Sequence, residues 1–84
     1  MSFVTYVLFS NNYTKIYIGY TSDLINRIKS HNHFGKNDYT SKFRPWEVVY
    51  VEFFETKKEA LKREKELKSA RGRKFIYEEI LTIK

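Results

Sequence analysis

The sequence predicts an α+β domain: a small three-stranded sheet, mixed or antiparallel, flanked by helices in the order β-β-α-β-α-α, with residues 1–84 as one domain. Three observations predict it. Two runs rich in Val, Ile, Tyr, Phe and Thr, at 3–10 and 15–20, flank a short polar gap. A third such run, 46–54, lies far enough along the chain to leave room for a helix. Thr56-Lys57-Lys58-Glu59 then opens a polar, periodic stretch with Glu three residues after Thr, the pattern of a capping box.

The first two runs read as a β-hairpin closed by Asn11-Asn12-Tyr13-Thr14, since Asn tolerates the backbone of a tight turn. Thr21, Ser22 and Asp23 are N-cap candidates for a helix from about 23 to about 33, whose apolar stripe is Leu24, Ile25 and Ile28. Residues 34–44, with Gly35, Asn37, Asp38 and Ser41 before Pro45, read as a mobile basic loop. The third strand covers 46–54. The capping box starts a helix from about 57 to about 70, which Gly72 is placed to end. Residues 73–83, with Phe75, Ile76, Ile80 and Leu81, suggest a short third helix.

The bulk numbers narrow the function. With 42% hydrophobic and 18% aromatic residues, so short a chain can still bury a core. There is no cysteine, which rules out disulfides and Cys-ligated zinc and fits a reducing compartment. The N-terminal run Phe3 to Phe9 reads as a strand rather than a secretory leader, and no apolar run approaches membrane-spanning length, so a cytoplasmic protein is expected. The net charge is +6, and residues 56–74 carry all of it, with nine Lys or Arg against three Glu. Such a concentration suits a polyanionic partner, because cations gain by displacing counterions from phosphates. A solvated Lys-rich helix is the other reading.

On the Thr56-capped helix, with Ala60 at 0°, Leu61 falls at about 100°, Leu67 at about −20° and Glu64 at about 40°. Glu64 therefore sits within the apolar stripe. An inward carboxylate needs a cation. Either Lys or Arg supplies it as an ion pair, or Glu64 is the one carboxylate that a Mg²⁺ ion shares with waters and a phosphate. Arg27 and His31, spaced i, i+4, share one flank of the first helix. Arg27 has the planar fork that clamps a phosphate, and His31 can move a proton near neutral pH, though a helix-terminal His also suits the dipole. His31-Asn32-His33 is spaced like a metal pair, but the chain has no further His and no Cys to complete it. Tyr6 and Tyr17 are strand residues and read first as packing. Gly19, two after Tyr17, leaves room for a close approach to the backbone.

Tyr17-Ile18-Gly19 is a literal YIG, eleven residues after Tyr6 in a strand-turn-strand, followed by Arg27, His31 and the Glu64 segment. In this ordered set the chain resembles the GIY-YIG nuclease superfamily, in particular its small stand-alone branch, which is similar to the catalytic domain of the bacterial excision-repair nuclease. The resemblance implies an endonuclease acting on nucleic acid, DNA rather than RNA, in repair or recombination. It implies that Glu64 holds a single Mg²⁺ or Mn²⁺, that Tyr17 activates water, that Tyr6 positions the water or Tyr17, that Arg27 stabilises the phosphate, and that His31 orients Tyr17 or takes its proton. Lys36, Lys42 and Arg44 on the loop and Lys62, Lys65 and Lys68 on the helix would grip flanking phosphates. Two departures stand out. Only the Tyr of the first motif survives in Val4-Thr5-Tyr6, and no Asn occurs beyond residue 37, although several members carry one after the Glu helix. A basic binding module without turnover is the alternative, and a partner-binding protein using the aromatic sheet is a third reading.

Overall fold

The computed structural model describes residues 2–34 and 39–81. Its sheet is antiparallel throughout, in the order β2-β1-β3, built from β1 (Phe3–Ser10), β2 (Lys15–Thr21) and β3 (Glu47–Phe54). The β-rich runs become strands because each can pair at once with its neighbour. The hairpin register sets Tyr6 opposite Gly19 and Leu8 opposite Tyr17. Between β1 and β3 the register shifts after Val7, which pairs with Tyr50 while Leu8 pairs with Val48, so Val49 bulges.

As the central strand, β1 is buried on both faces, and Val4 to Leu8 are all buried. One face gathers Tyr6, Leu8 and Trp46, with Tyr17, Leu24, Phe43 and Val51 against them. The other gathers Val7, Ile16, Ile18, Leu67 and Ile76. Helices therefore cover both sides. α1 (Leu24–Lys29) is capped by Asp23, which accepts from the Asn26 amide, and widens into a π-type turn over Ser30–Phe34. α3 (Lys57–Lys68) lies on the other face, where the buried Thr5 hydroxyl donates to the Ala60 carbonyl at 2.8 Å. Each core side chain so buried stabilises the fold by roughly 1.5–3 kcal/mol relative to exposure. The expected capping box is present: Glu59 donates its amide to the Thr56 hydroxyl, and the Glu59 carboxylate accepts from the Thr56 amide.

Three expectations need correction. Residues 39–42, read as loop, form a short helix α2 (Tyr39–Lys42), because Thr40 offers its carbonyl to the buried Trp46 indole N–H at 2.8 Å. α3 stops at Lys68 rather than near 70. Ser69 adopts an extended ψ of 168°, and its hydroxyl donates to the Glu66 carbonyl and accepts from the Gly72 amide. Gly72 does not end a helix. It lies inside α4 (Ala70–Phe75), which runs on as a wider turn through Ile76–Ile80. A Cβ there would sit 2.1 Å from the Glu66 oxygen and 2.4 Å from the Leu67 Cα, so Gly72 is where α4 crosses the end of α3.

Candidate active site

Tyr6 points from the central strand across Gly19, its cross-strand partner. The side chain can lie there only because Gly19 has no Cβ, which would sit 2.6 Å from the Tyr6 hydroxyl and 2.9 Å from its ring carbon Cζ. The close approach anticipated at Gly19 is therefore made by the protein's own tyrosine. The Tyr6 hydroxyl lies 2.9 Å from Nε2 of His31, at the widened end of α1. The Tyr17 and His31 rings are 4.8 Å apart, Tyr6 and Tyr17 6.4 Å, and Tyr17 and Trp46 6.3 Å.

The scaffold behind these rings is well tied. Asn32 accepts from the Trp46 amide at 2.6 Å and donates to the Trp46 carbonyl at 3.0 Å, which fastens the end of α1 to the start of β3. Arg44 donates to the carbonyls of His31 and Ser30 at 2.5 and 3.3 Å, an arrangement suited to the negative end of a helix. Neither Asn32 nor Trp46 was singled out from the sequence. No pattern marks a pairing across fourteen residues, although a lone Trp beside Pro45 was a signal of burial.

Tyr6 is completely buried, and burial is the largest reason its hydroxyl holds its proton far more tightly than a free tyrosine. The charge of Tyr17 pushes the same way, Arg27 opposes by charge and hydrogen bonding, and Glu64 adds a further upward push. The Tyr6 hydroxyl thus meets His31 directly and feels the charges of Tyr17, Arg27 and Glu64, which come from β2, α1 and α3. Tyr6 remains a neutral phenol, fit to donate or accept a hydrogen bond but not to act as a base.

The linkage has a measurable sign. Because the folded value lies above the unfolded value near 10, Tyr6 contributes stability that is fully present below about pH 10 and declines as pH climbs toward the folded value. The expected slope from this residue approaches about 1.4 kcal/mol per pH unit. Tyr6→Phe is expected to flatten the loss of stability between neutral pH and pH 11, measured by urea unfolding at each pH. An unchanged slope would place the Tyr6 hydroxyl in water.

Glu64 faces inward as its helix angle requires, with 15% of its side chain exposed, and its carboxylate lies 3.0 Å from the ammonium of Lys68, one turn on. Lys68 is 52% exposed, so this pair holds the carboxylate by little, about 0.3–0.5 kcal/mol. Arg27 is exposed and shares a hollow of about 280 Å³ with Thr21, Ser22 and Lys57. Among the described residues no three His, Cys, Asp or Glu form a metal cluster. A single partly buried carboxylate fits Mg²⁺ or Mn²⁺, which draw their remaining ligands from waters and phosphate oxygens, and does not fit a zinc cage. The His31–His33 pairing finds no support at His31, whose Nε2 meets Tyr6; the His33 side chain lies outside the described residues.

The basic residues divide. Lys68 adjoins Glu64, whereas Lys62 lies about 160° from Glu64 around α3 and shares a hollow with Glu52, Glu59 and Glu66. Lys42 and Lys65 are exposed, and Lys36 lies outside the described residues. Lys57, seven residues before Glu64 and so on the same side of α3, was legible from spacing but had not been picked out.

A sequence profile of the family described as the GIY-YIG catalytic domain matches residues 2–77. A UPF0213 protein of Staphylococcus saprophyticus is 48% identical over 54 residues, which cover 64% of this chain and 66% of that relative. A UPF0213 protein of Staphylococcus aureus is 46% identical over a stretch of the same length and coverage. The solution NMR structure of a UPF0213 protein from Bacillus halodurans superposes with a TM-score of 0.55 at 31% identity, covering 93% of this chain and 84% of that one. Among the described residues no helix is long and apolar enough to cross a membrane.

Proposed function

This chain belongs to the GIY-YIG catalytic-domain family, and from that premise we propose that it is a metal-dependent endonuclease hydrolysing phosphodiester bonds, in DNA in preference to RNA. The observation that supports this most is the cluster of buried Tyr6 with His31 and Tyr17, with the Tyr6 hydroxyl 2.9 Å from His31 and the Tyr17 ring 4.8 Å from the same imidazole, within electrostatic reach of Arg27 and Glu64. Each group then has a task. Tyr17, half-buried with His31 beside it, takes a proton from the attacking water, and His31 receives the proton that Tyr17 gives up beforehand. Tyr6, locked by His31 and Gly19, orients the water or Tyr17 by hydrogen bonding. Arg27 faces the phosphate and stabilises the charge that grows on it as the water oxygen bonds to phosphorus and the bond to the 3′ oxygen breaks. Glu64 would hold Mg²⁺ or Mn²⁺, which would supply positive charge to offset the negative charge growing on the reacting phosphate. DNA as substrate would place the chain in repair or recombination, in the cytoplasm. Lys42, Lys57, Lys65 and Lys68 supply the sequence-independent grip on flanking phosphates.

The test is a panel of labelled DNA and RNA, single-stranded, duplex and branched, incubated with Mg²⁺ or Mn²⁺. Wild type is expected to cut at least one DNA form. Tyr17→Phe should lose about 10²–10⁴-fold of that rate while binding as before. The Lys68–Glu64 ion pair favours one other reading, a basic nucleic-acid-binding module in which Glu64 is only structural. Binding without cleavage on the whole panel would establish that reading instead.

A further inference from the structure

Beside Tyr17, along the outer edge of β2, runs a cleft of about 440 Å³ whose walls include Lys15, Lys68, Arg73 and Tyr77. Three cations line it, with no carboxylate among the described residues that do so. Gathering like charges in one concave place is unfavourable unless an anion occupies it, and such a cleft concentrates anions. Another basic hollow on α3, around Lys62, is lined by three glutamates and has no such field. The cationic cleft is also partly set in place. Arg73 donates from Nε to the Lys68 carbonyl at 3.3 Å, and Tyr77, 43% exposed, presents a ring at the wall.

Lys68 belongs to two places at once. It lines this cleft, and its ammonium is bonded to Glu64 at 3.0 Å. A lysine so placed competes with a divalent cation, since its ammonium already holds Oε2 of the carboxylate and the two cations repel one another. Departure of Lys68 would therefore favour metal binding at Glu64, and the adjacent cleft offers it an anionic destination if a phosphate lies there.

We propose, building on the nuclease reading, that this cleft binds the phosphodiester next to the scissile one, and that Lys68 is a positioning residue that passes from the Glu64 carboxylate to that phosphate. Without nucleic acid, Lys68 keeps the inward carboxylate neutralised and the metal site closed. With nucleic acid bound, Glu64 is released to the metal. Metal and nucleic acid then favour each other's binding by the same factor.

The test is Mn²⁺ titration followed by the electron paramagnetic resonance of the free ion, using the whole chain. Without nucleic acid, Lys68→Gln is expected to bind Mn²⁺ about tenfold tighter than wild type. Lys58→Gln, which removes an exposed charge from the first turn of the same helix, should change the affinity less than about twofold. In a Tyr17→Phe background, which prevents cleavage, a short oligothymidylate should tighten Mn²⁺ binding about tenfold, after correction for Mn²⁺ bound by the oligonucleotide alone. Adding Lys68→Gln should remove that coupling. Glu64→Gln supplies the baseline. Mn²⁺ binding that depends on Glu64 but is equally tight with and without Lys68 would overturn the inference and leave the nuclease reading standing. Absence of Glu64-dependent binding in every variant would overturn both.

Discussion

Glu64→Gln is expected to abolish metal-dependent cleavage, lowering the rate by about 10³-fold or more, in a protein that melts within about 3 °C of wild type. Glutamine keeps the volume of the side chain and removes the charge that would hold the metal. The stability half of this result follows from the partner. Glu64 pairs with Lys68, which is 52% exposed and can return to water when the pair is lost. Breaking a buried pair costs about 3–5 kcal/mol because a charge is stranded, but here none is. Some stability is even recovered, since an inward carboxylate no longer has to be neutralised. A thermal melt and a cleavage assay on the same preparations decide the matter. A melt lowered by 10 °C or more would make Glu64 a structural residue. Cleavage at the wild-type rate would end the proposed mechanism.

Gly72→Ala is expected to have the largest effect on the fold, about 3 kcal/mol or more, although alanine is ordinarily the better helix former. Gly72 lies within α4, so propensity alone predicts a gain. The added Cβ would instead meet the backbone of α3 at Glu66 and Leu67, at 2.1 and 2.4 Å. Backbone atoms cannot rotate out of the way as a side-chain tip can, so the crossing of the two helices must open. That would pull Leu67 and Ile76 from the core cluster they share with Val7, Ile16 and Ile18. For a domain of this size the shift is about 12 °C or more in melting temperature, read by circular dichroism. A variant as stable as wild type would show that α4 does not cross α3 this closely.

The contrast between these two residues shows what the sequence could convey. Glu64 was legible because its oddity is local: one helix, one apolar stripe, one charge within it. The Thr56 cap, the Asp23 cap and the hairpin were legible for the same reason, since each is written within a few consecutive residues. The spacing of Tyr6, Tyr17, Arg27, His31 and Glu64 became informative only through the family resemblance. Gly72 was misread because a glycine after a helix and a glycine beneath a crossing helix look alike until the crossing partner is known. Gly19 was read correctly as a place of close approach, but whether ligand or protein fills it depends on strand register. The partnership of Lys68 with Glu64 is ordinary i, i+4 spacing, indistinguishable in sequence from any surface pair. The Asn32–Trp46 clasp and the Arg44 contacts link elements far apart in the chain, and no periodicity announces them.

Trp46 has one more consequence, an optical one. It is the sole tryptophan of the chain, 4% exposed, with its indole against the Tyr17 ring. Its intrinsic fluorescence therefore arises from a dry environment one ring away from the residue proposed to activate water. Seven tyrosines in so small a volume feed their excitation into that single acceptor. Ligand arrival at Tyr17 should change the intensity of this emission without any attached dye, while unfolding should shift its wavelength to the red. The protein thus carries a built-in reporter that separates occupancy of the cleft from loss of the fold in one cuvette.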